Sequence, residues 1–332
     1  MKRFLSILTL LVAFIIGSYY YDQKSNEILE ADFSQSLSNW FKLGNFFLYK
    51  NFHKIFYINE ELVYEENLPS IVLLHGFPTS SYDYQKLWNL LRQDNRFKSI
   101  VTFDYLGYGF SDKPLDYEYS IFDMADMVDR LLLHLNITSV YLVAHDVGDT
   151  VVQELLRREN LNSQNHFKIK KLILMNGGLF TDIYKPIITQ EILRTKYLNS
   201  IVSRYFFKYT IFKYSFSKVF GSLTRLSEQN LLDFYNCIRY NSGNLVLPLT
   251  IGYMNERLQY GEAWTDALNE TVIPTLFIYG PADPINPRNK FPQKIRDLLP
   301  NVKLSILSEL VGHYPQFEDT FTVWELIKKF IN

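Results

Sequence analysis

Val140–Tyr141–Leu142–Val143–Ala144–His145–Asp146–Val147–Gly148–Asp149 carries the pattern that organises the whole chain. A short apolar run ends at Ala144. From Gly148 onward Val151, Val152, Leu155 and Leu156 recur at helical spacing. Between the two lies a small–x–acid–x–Gly turn, with Ala144 and Gly148 two residues either side of Asp146. This is the form of a nucleophile elbow, in which a strand turns sharply into a helix and lifts one side chain above the sheet. A serine commonly stands at the tip. Here it is Asp146, so the candidate nucleophile is a carboxylate, and the chemistry moves from acyl transfer to displacement at carbon.

The 332 residues suffice for one large α/β domain with an insertion. The formal net charge is −1 and there is no long basic run, which leaves nucleic-acid binding without electrostatic support. Cys237 is the one cysteine, so neither an internal disulfide nor a cysteine-based zinc site is expected. Aromatic residues reach 16%, in keeping with a large apolar interior or pocket. Met1–Lys2–Arg3 is basic, and Phe4 to Tyr21 is apolar and uncharged. That is near the lower limit for spanning a bilayer. The flanking charges predict an uncleaved anchor in residues 1–24 with the rest of the chain across the membrane. Signal-peptide cleavage and secretion is the competing expectation.

Residues 25–178 read as the first part of an α/β core. His53–Asn59 and Leu62–Tyr64 suggest an opening hairpin, and Ser70–Leu74, Ser99–Phe103 and Lys171–Met175 suggest buried strands. Ser120 is placed to cap a helix running to Leu135. Strands alternating with helices predict a mostly parallel sheet covered on both faces. From 179 to 269 the alternation stops. This stretch is helical in pattern, crowded with Tyr and Phe and mildly basic, and it reads as an inserted cap. Residues 270–332 return to the core, with strands at Ile273–Tyr279 and Val302–Leu307 and a closing helix.

Asp146, Asp283 and His313 each follow a predicted strand, at the end where open α/β sheets place their sites. Their order is nucleophile, acid, base. A carboxylate attacks an electrophilic carbon and leaves an ester. Neutral histidine activates water to hydrolyse it, and the second carboxylate orients the imidazole. The backbone N–H groups of Phe77 and Val147 are the expected oxyanion hole. Taken singly, Asp146 could be a helix cap, Asp283 a turn residue and His313 a loop histidine. Their joint order and placement favour the triad. No metal and no organic cofactor is expected, and His75 and His145 are read as supporting residues.

His75–Gly–Phe–Pro, Asp104–Tyr–Leu–Gly–Tyr–Gly–Phe–Ser and His145–Asp–Val–Gly–Asp resemble the epoxide hydrolase and haloalkane dehalogenase branch of the α/β-hydrolases. The likeness covers about residues 45 to 325. It extends through Ile238–Arg239, Gly243–Asn–Leu–Val246 and His313–Tyr–Pro–Gln–Phe–Glu–Asp319. It implies an α/β-hydrolase fold with a helical cap, the triad above, and residence in the endoplasmic reticulum membrane. Dehalogenases of this look hold the halide with side-chain donors where this chain has Val147 and Phe77. The resemblance therefore implies epoxide opening, with Tyr253 as the cap tyrosine placed to polarise the epoxide oxygen. The expected substrate is apolar, with lipid-derived epoxides in its range, and held by a membrane-anchored enzyme. Hydrolysis or transfer of another lipid ester, and a non-catalytic membrane scaffold with a retained fold, are the alternatives.

Overall fold

A computed structural model describes residues 28–332, except 66, 162–164, 197 and 223. The expected anchor in residues 1–24 lies outside the described residues. Among the described residues no helix is long and apolar enough to cross a membrane.

Eight strands form one sheet: β1 (Asn45–Tyr49), β2 (His53–Glu61), β3 (Ser70–Leu74), β4 (Ser99–Phe103), β5 (Ser139–His145), β6 (Lys168–Met175), β7 (Thr275–Tyr279) and β8 (Val302–Ile306). Their spatial order is β1-β2-β4-β3-β5-β6-β7-β8. The first three are joined antiparallel and the rest are parallel. β3, β4 and β7 are buried along their whole length. That is why they read as unbroken apolar runs rather than as alternating ones.

The principal helices are α1 (Gln35–Lys42), α2 (Gln85–Leu91), α3 (Ile121–His134), α4 (Val147–Asn160), α5 (Ile188–Arg194), α6 (Tyr209–Phe216), α7 (Glu228–Arg239), α8 (Tyr253–Glu270), α9 (Phe291–Leu298) and α10 (Thr320–Ile331). Ser120 caps α3 by accepting from the Asp123 N–H at 3.1 Å. Between β6 and β7, residues 176–274 hold α5 to α8 and several single turns. α4 packs on β5 and lies between α3 and α8. Val151, Val152 and Leu155 are fully buried there, each contributing about 1.5–3 kcal/mol of transfer free energy.

The opening hairpin differs from expectation. Its strands are β1 and β2, and Leu62–Tyr64 is not a strand. Lys50 and Asn51 both take positive φ, 49° and 69°, and Phe52 N–H closes the turn on the Tyr49 carbonyl. This is the turn whose twist suits two antiparallel strands. Phe47 and Tyr49 point inward while Phe46 and Leu48 are exposed. Leu62 and Val63 instead both donate their N–H groups to the Lys98 carbonyl, which leaves them no strand partner.

Candidate active site

β5 ends at His145 and α4 begins at Val147, so the whole reversal falls on Asp146, at φ 51° and ψ −107°. Such a backbone places the side chain at the mouth of the turn, away from the sheet. Two glycines make room for it. A Cβ at Gly148 would lie 2.5 Å from the Leu74 carbonyl oxygen, and one at Gly76 would lie 2.6 Å from the Asp146 Cβ. The close approach of β3, its following loop and α4 therefore requires hydrogen at both positions.

The Asp146 carboxylate is buried, with 2% of the residue exposed, and its two oxygens differ. Oδ2 accepts from the Phe77 N–H at 2.9 Å, and Oδ1 has no hydrogen-bond partner among the described residues. Val147, the first residue of α4, is buried beside it. The side chains of Phe77 and Val147 are hydrocarbon and offer no donor.

Asp283 and His313 follow β7 and β8 and meet across the ends of those strands. His313 Nδ1 donates to Asp283 Oδ2 at 2.9 Å. Its Nε2 is buried and has no hydrogen-bond partner among the described residues. Burial opposes a charge on His313, but the Asp283 carboxylate, its hydrogen bond and the Asp146 carboxylate outweigh it. Together they raise the imidazole from 6.5 to about 8. The structure thus brings Asp146, Asp283 and His313 into one buried cluster, each at a strand end.

Several members of the cluster were not read from sequence. Asn176, at φ 48° after β6, donates to Asp283 Oδ2 at 3.0 Å and accepts from the Gly280 N–H at 2.9 Å. Asn286 adds a second amide donor to Asp283 Oδ2 at 2.9 Å, and Ile285 N–H serves Oδ1 at 2.8 Å. Four donors therefore fix that carboxylate. The Asn176–Gly177–Gly178 run was visible only as the end of a strand.

Arg257 was also missed. It sits on the buried stripe of α8 with Tyr253, Gly261 and Trp264. Its Nε and Nη2 donate to Thr150 Oγ1 at 2.9 and 2.8 Å, and Nη2 also reaches the Asp146 carbonyl at 3.3 Å. Nη2 stands 3.8 Å from Asp146 Oδ1. The guanidinium lies over the Tyr253 and Tyr184 rings, at 4.7 and 5.5 Å from their centroids. A charged residue at i+4 from Tyr253 on an otherwise apolar face was the available signal.

Tyr253 is buried, with its ring 5.7 Å from that of Phe77. Gln190 Nε2 donates to the Tyr184 hydroxyl at 3.1 Å and lies 3.5 Å from the Tyr253 hydroxyl. Burial, Tyr184 and then Asp146 push the Tyr253 phenol well above its ordinary value, so it stays a proton donor. His75 and His145 bond to backbone. His75 Nδ1 donates to Gly76 O at 2.9 Å and its Nε2 accepts from Tyr105 N–H at 3.1 Å, and burial holds it down to about 3. His145 Nε2 donates to the His313 carbonyl at 2.7 Å. Among the described residues no group of three or more His, Cys, Asp or Glu side chains is placed to hold a metal ion.

An apolar cavity of about 270 Å³ leads to this cluster. Its walls include Phe77, Phe206, Phe207, Phe212, His313 and Tyr314. It lies between the strand ends and the helices of the insert.

The alpha/beta hydrolase fold family model matches residues 69–320. The mesoderm-specific transcript homolog protein of Homo sapiens is 41% identical over 302 residues, covering 90% of this chain and 89% of that protein. The putative hydrolase LipZ of Mycobacterium tuberculosis is 32% identical over 250 residues, covering 75% of this chain and 84% of its own. Among solved structures, the haloalkane dehalogenase DatA of Agrobacterium tumefaciens superposes with a TM-score of 0.69 at 18% identity, over 87% of this chain and 95% of that one. With the strand order and the sharp turn at Asp146, these matches make the chain a member of the α/β-hydrolase family, and within it a relative of the mesoderm-specific transcript proteins.

Proposed function

We propose that this α/β-hydrolase opens an apolar epoxide through a covalent ester on Asp146 and hydrolyses that ester with water activated by His313. The supporting observation is the asymmetry of the Asp146 carboxylate, with Oδ2 held by the Phe77 N–H and Oδ1 unpartnered. In this reading Oδ1 attacks an epoxide carbon, the carbon–oxygen bond breaks, and the alkoxide takes a proton from a phenol, for which Tyr253 is the candidate. His313 Nε2 then takes a proton from water, whose oxygen attacks the ester carbonyl carbon. The oxyanion forms on Oδ2, where the Phe77 N–H already points and Val147 N–H is the second candidate donor. Asp283 stabilises the imidazolium formed in that step. The tetrahedral intermediate collapses, the alkyl oxygen leaves with the proton from His313, the second water proton passes from the Asp146 carboxyl back to the phenolate, and the product is a vicinal diol.

A lipid-derived substrate is supported by the aromatic walls of the cavity and by the surface around it. Phe206 and Ile211 line the cavity and are also exposed. Ile188, Leu198 and Ile201 are exposed nearby in sequence. Residues 185–225 contain eight Lys and Arg against Glu191 as the one acidic residue, in a chain of net charge −1. A surface of exposed apolar side chains among basic ones suits contact with a bilayer interface, and residues 1–24 would tether the helical cap there.

The reading is tested by single turnover with a long-chain epoxide. In His313→Gln, Asp146 should gain the mass of the substrate and keep it, because attack needs no base and hydrolysis does. Hydrolysis should slow by roughly 10²–10⁴-fold. An unmodified Asp146 peptide in that variant, beside clear turnover by the wild-type chain, would exclude the mechanism.

A further inference from the structure

The Arg257 guanidinium is 4% exposed as a residue, and the proposed chemistry does not use it. Its Nε and one terminal nitrogen are spent on Thr150 and the Asp146 carbonyl. Nη1 has no hydrogen-bond partner among the described residues. A buried cationic donor left unmade is costly. This one borders a second cavity, of about 210 Å³, lined by Gly178, Thr181, Tyr184, Arg194, Met254 and Arg257 among others. Gly178 keeps the approach to Nη1 open. A Cβ there would lie 2.6 Å from Nη1 and 2.9 Å from Cδ2 of Tyr184.

Arg194 brings a second positive charge to the same cavity. Its Nε is buried and unpartnered, and its terminal nitrogens make only long contacts, 3.4 Å to Glu191 and 3.4 Å to Asn255. Two carboxylates stand near these charges, Glu191 Oε1 at 3.4 Å from Arg194 Nη1 and Asp146 Oδ1 at 3.8 Å from Arg257 Nη2. Neither contact supplies a hydrogen-bond partner, among the described residues, for Arg257 Nη1 or Arg194 Nε. Asp149, under Gly177, accepts from the Met175 and Gly177 N–H groups at 3.3 and 2.9 Å, and burial raises its carboxyl well above the ordinary range.

We propose that this cavity is an anion-binding site, in which Arg257 Nη1 and Arg194 hold a carboxylate beside the Asp146 turn. Tyr184 in its wall accepts from the amide of Gln190 at 3.1 Å, and Gln190, 3.5 Å from the Tyr253 hydroxyl, lines the apolar cavity. The carboxylate is either a free small anion or the head of an amphiphile whose chain fills the apolar cavity. The inference adds a ligand class to the proposed substrate and does not depend on the ester mechanism.

Calorimetric titration of the full-length chain with acetate, dodecanoate and dodecanol tests it. Dodecanoate should bind at least tenfold tighter than dodecanol. Arg194→Gln should remove most of that preference while leaving dodecanol affinity and the thermal midpoint near wild type, and Gly178→Ala, whose Cβ would crowd Nη1 and the Tyr184 ring, should remove it as well, with its cost in stability read separately from the thermal midpoint. Saturable acetate binding as tight as that of dodecanoate identifies a free anion as the ligand. Dodecanoate binding far tighter than acetate identifies one molecule spanning both cavities. Equal affinity for dodecanoate and dodecanol with no acetate binding overturns the site, as does a preference unchanged in both variants. The ester trapped on Asp146 in His313→Gln is a separate readout, so loss of this site leaves that result standing.

Discussion

At Asp146 the backbone φ is 51°, a conformation that costs a non-glycine residue about 1–3 kcal/mol. The turn sustains it because Phe77 N–H, Met175 O and Arg257 hold the residue from three sides. The same crowding couples Asp146 to His313 and sets a pH dependence. With Asp146 ionised, His313 is held at about 8. Esterification removes that negative charge, so the imidazole in the ester intermediate must titrate lower, below the resting value. Hydrolysis needs neutral His313. The rate of ester decay should therefore rise with pH and level off, with its midpoint below that of His313 in the resting chain. Quenched-flow mass spectrometry of the Asp146 peptide across pH, beside NMR titration of His313, measures both. A decay rate that falls as pH rises would remove His313 as the base.

The elements around this residue explain why α4 starts where it does. α4 is pressed against the end of β3 so closely that only glycine fits at 148, with the Leu74 carbonyl 2.5 Å from where a Cβ would stand. Gly148→Ala must push the helix from the sheet or shift β3, a form of overpacking that costs about 1–3 kcal/mol. Urea unfolding should show that loss, and ester formation on Asp146 should slow even at denaturant-free equilibrium, since the elbow moves with the helix. The far side of α4 is tied to the insert. Glu154 accepts from Trp264 of α8 at 2.9 Å and from Arg157 and Arg158 at 2.7 and 2.9 Å. Glu154→Gln weakens three charge-assisted bonds in one buried place. It should destabilise the chain by about 1–3 kcal/mol and loosen α8, measured as faster hydrogen exchange along that helix.

On the scale of the whole molecule, the topology proposed from the first 24 residues places the sheet domain across the membrane from Lys2 and Arg3. Asn136–Ile137–Thr138 and Asn269–Glu270–Thr271 are the acceptor motifs that report on it. Both asparagines are exposed. Asn136 sits in a turn at φ 55° after α3, whereas Asn269 lies within the last turn of α8, where a transferase cannot extend the chain. A lumenal domain should carry a glycan at Asn136 in a eukaryotic host. An endoglycosidase shift lost in Asn136→Gln is the expected result. An unshifted band, together with digestion of the domain by protease added to intact microsomes, would place it on the cytosolic side.

The local signals in this chain were strong wherever one segment answers to its own backbone. The elbow at Asp146, the Ser120 cap, the buried runs at Ser70–Leu74 and Ser99–Phe103 and the strand-end positions of Asp283 and His313 were all legible. Each depends on side-chain period, turn chemistry or chain order, which a single stretch of sequence contains. The register of the first hairpin was not, because Leu62–Tyr64 and Asn45–Tyr49 are equally apolar and only the positive-φ turn at Lys50–Asn51 chooses between them. Nor were Asn176, Asn286 and Arg257. These polar groups lie on stretches that read as turn or apolar helix. Their meaning comes from partners 107 residues away for Asn176 and Asp283, and 111 for Arg257 and Asp146. Desolvation compels a buried amide or guanidinium to find such a partner, but packing alone decides which one it meets.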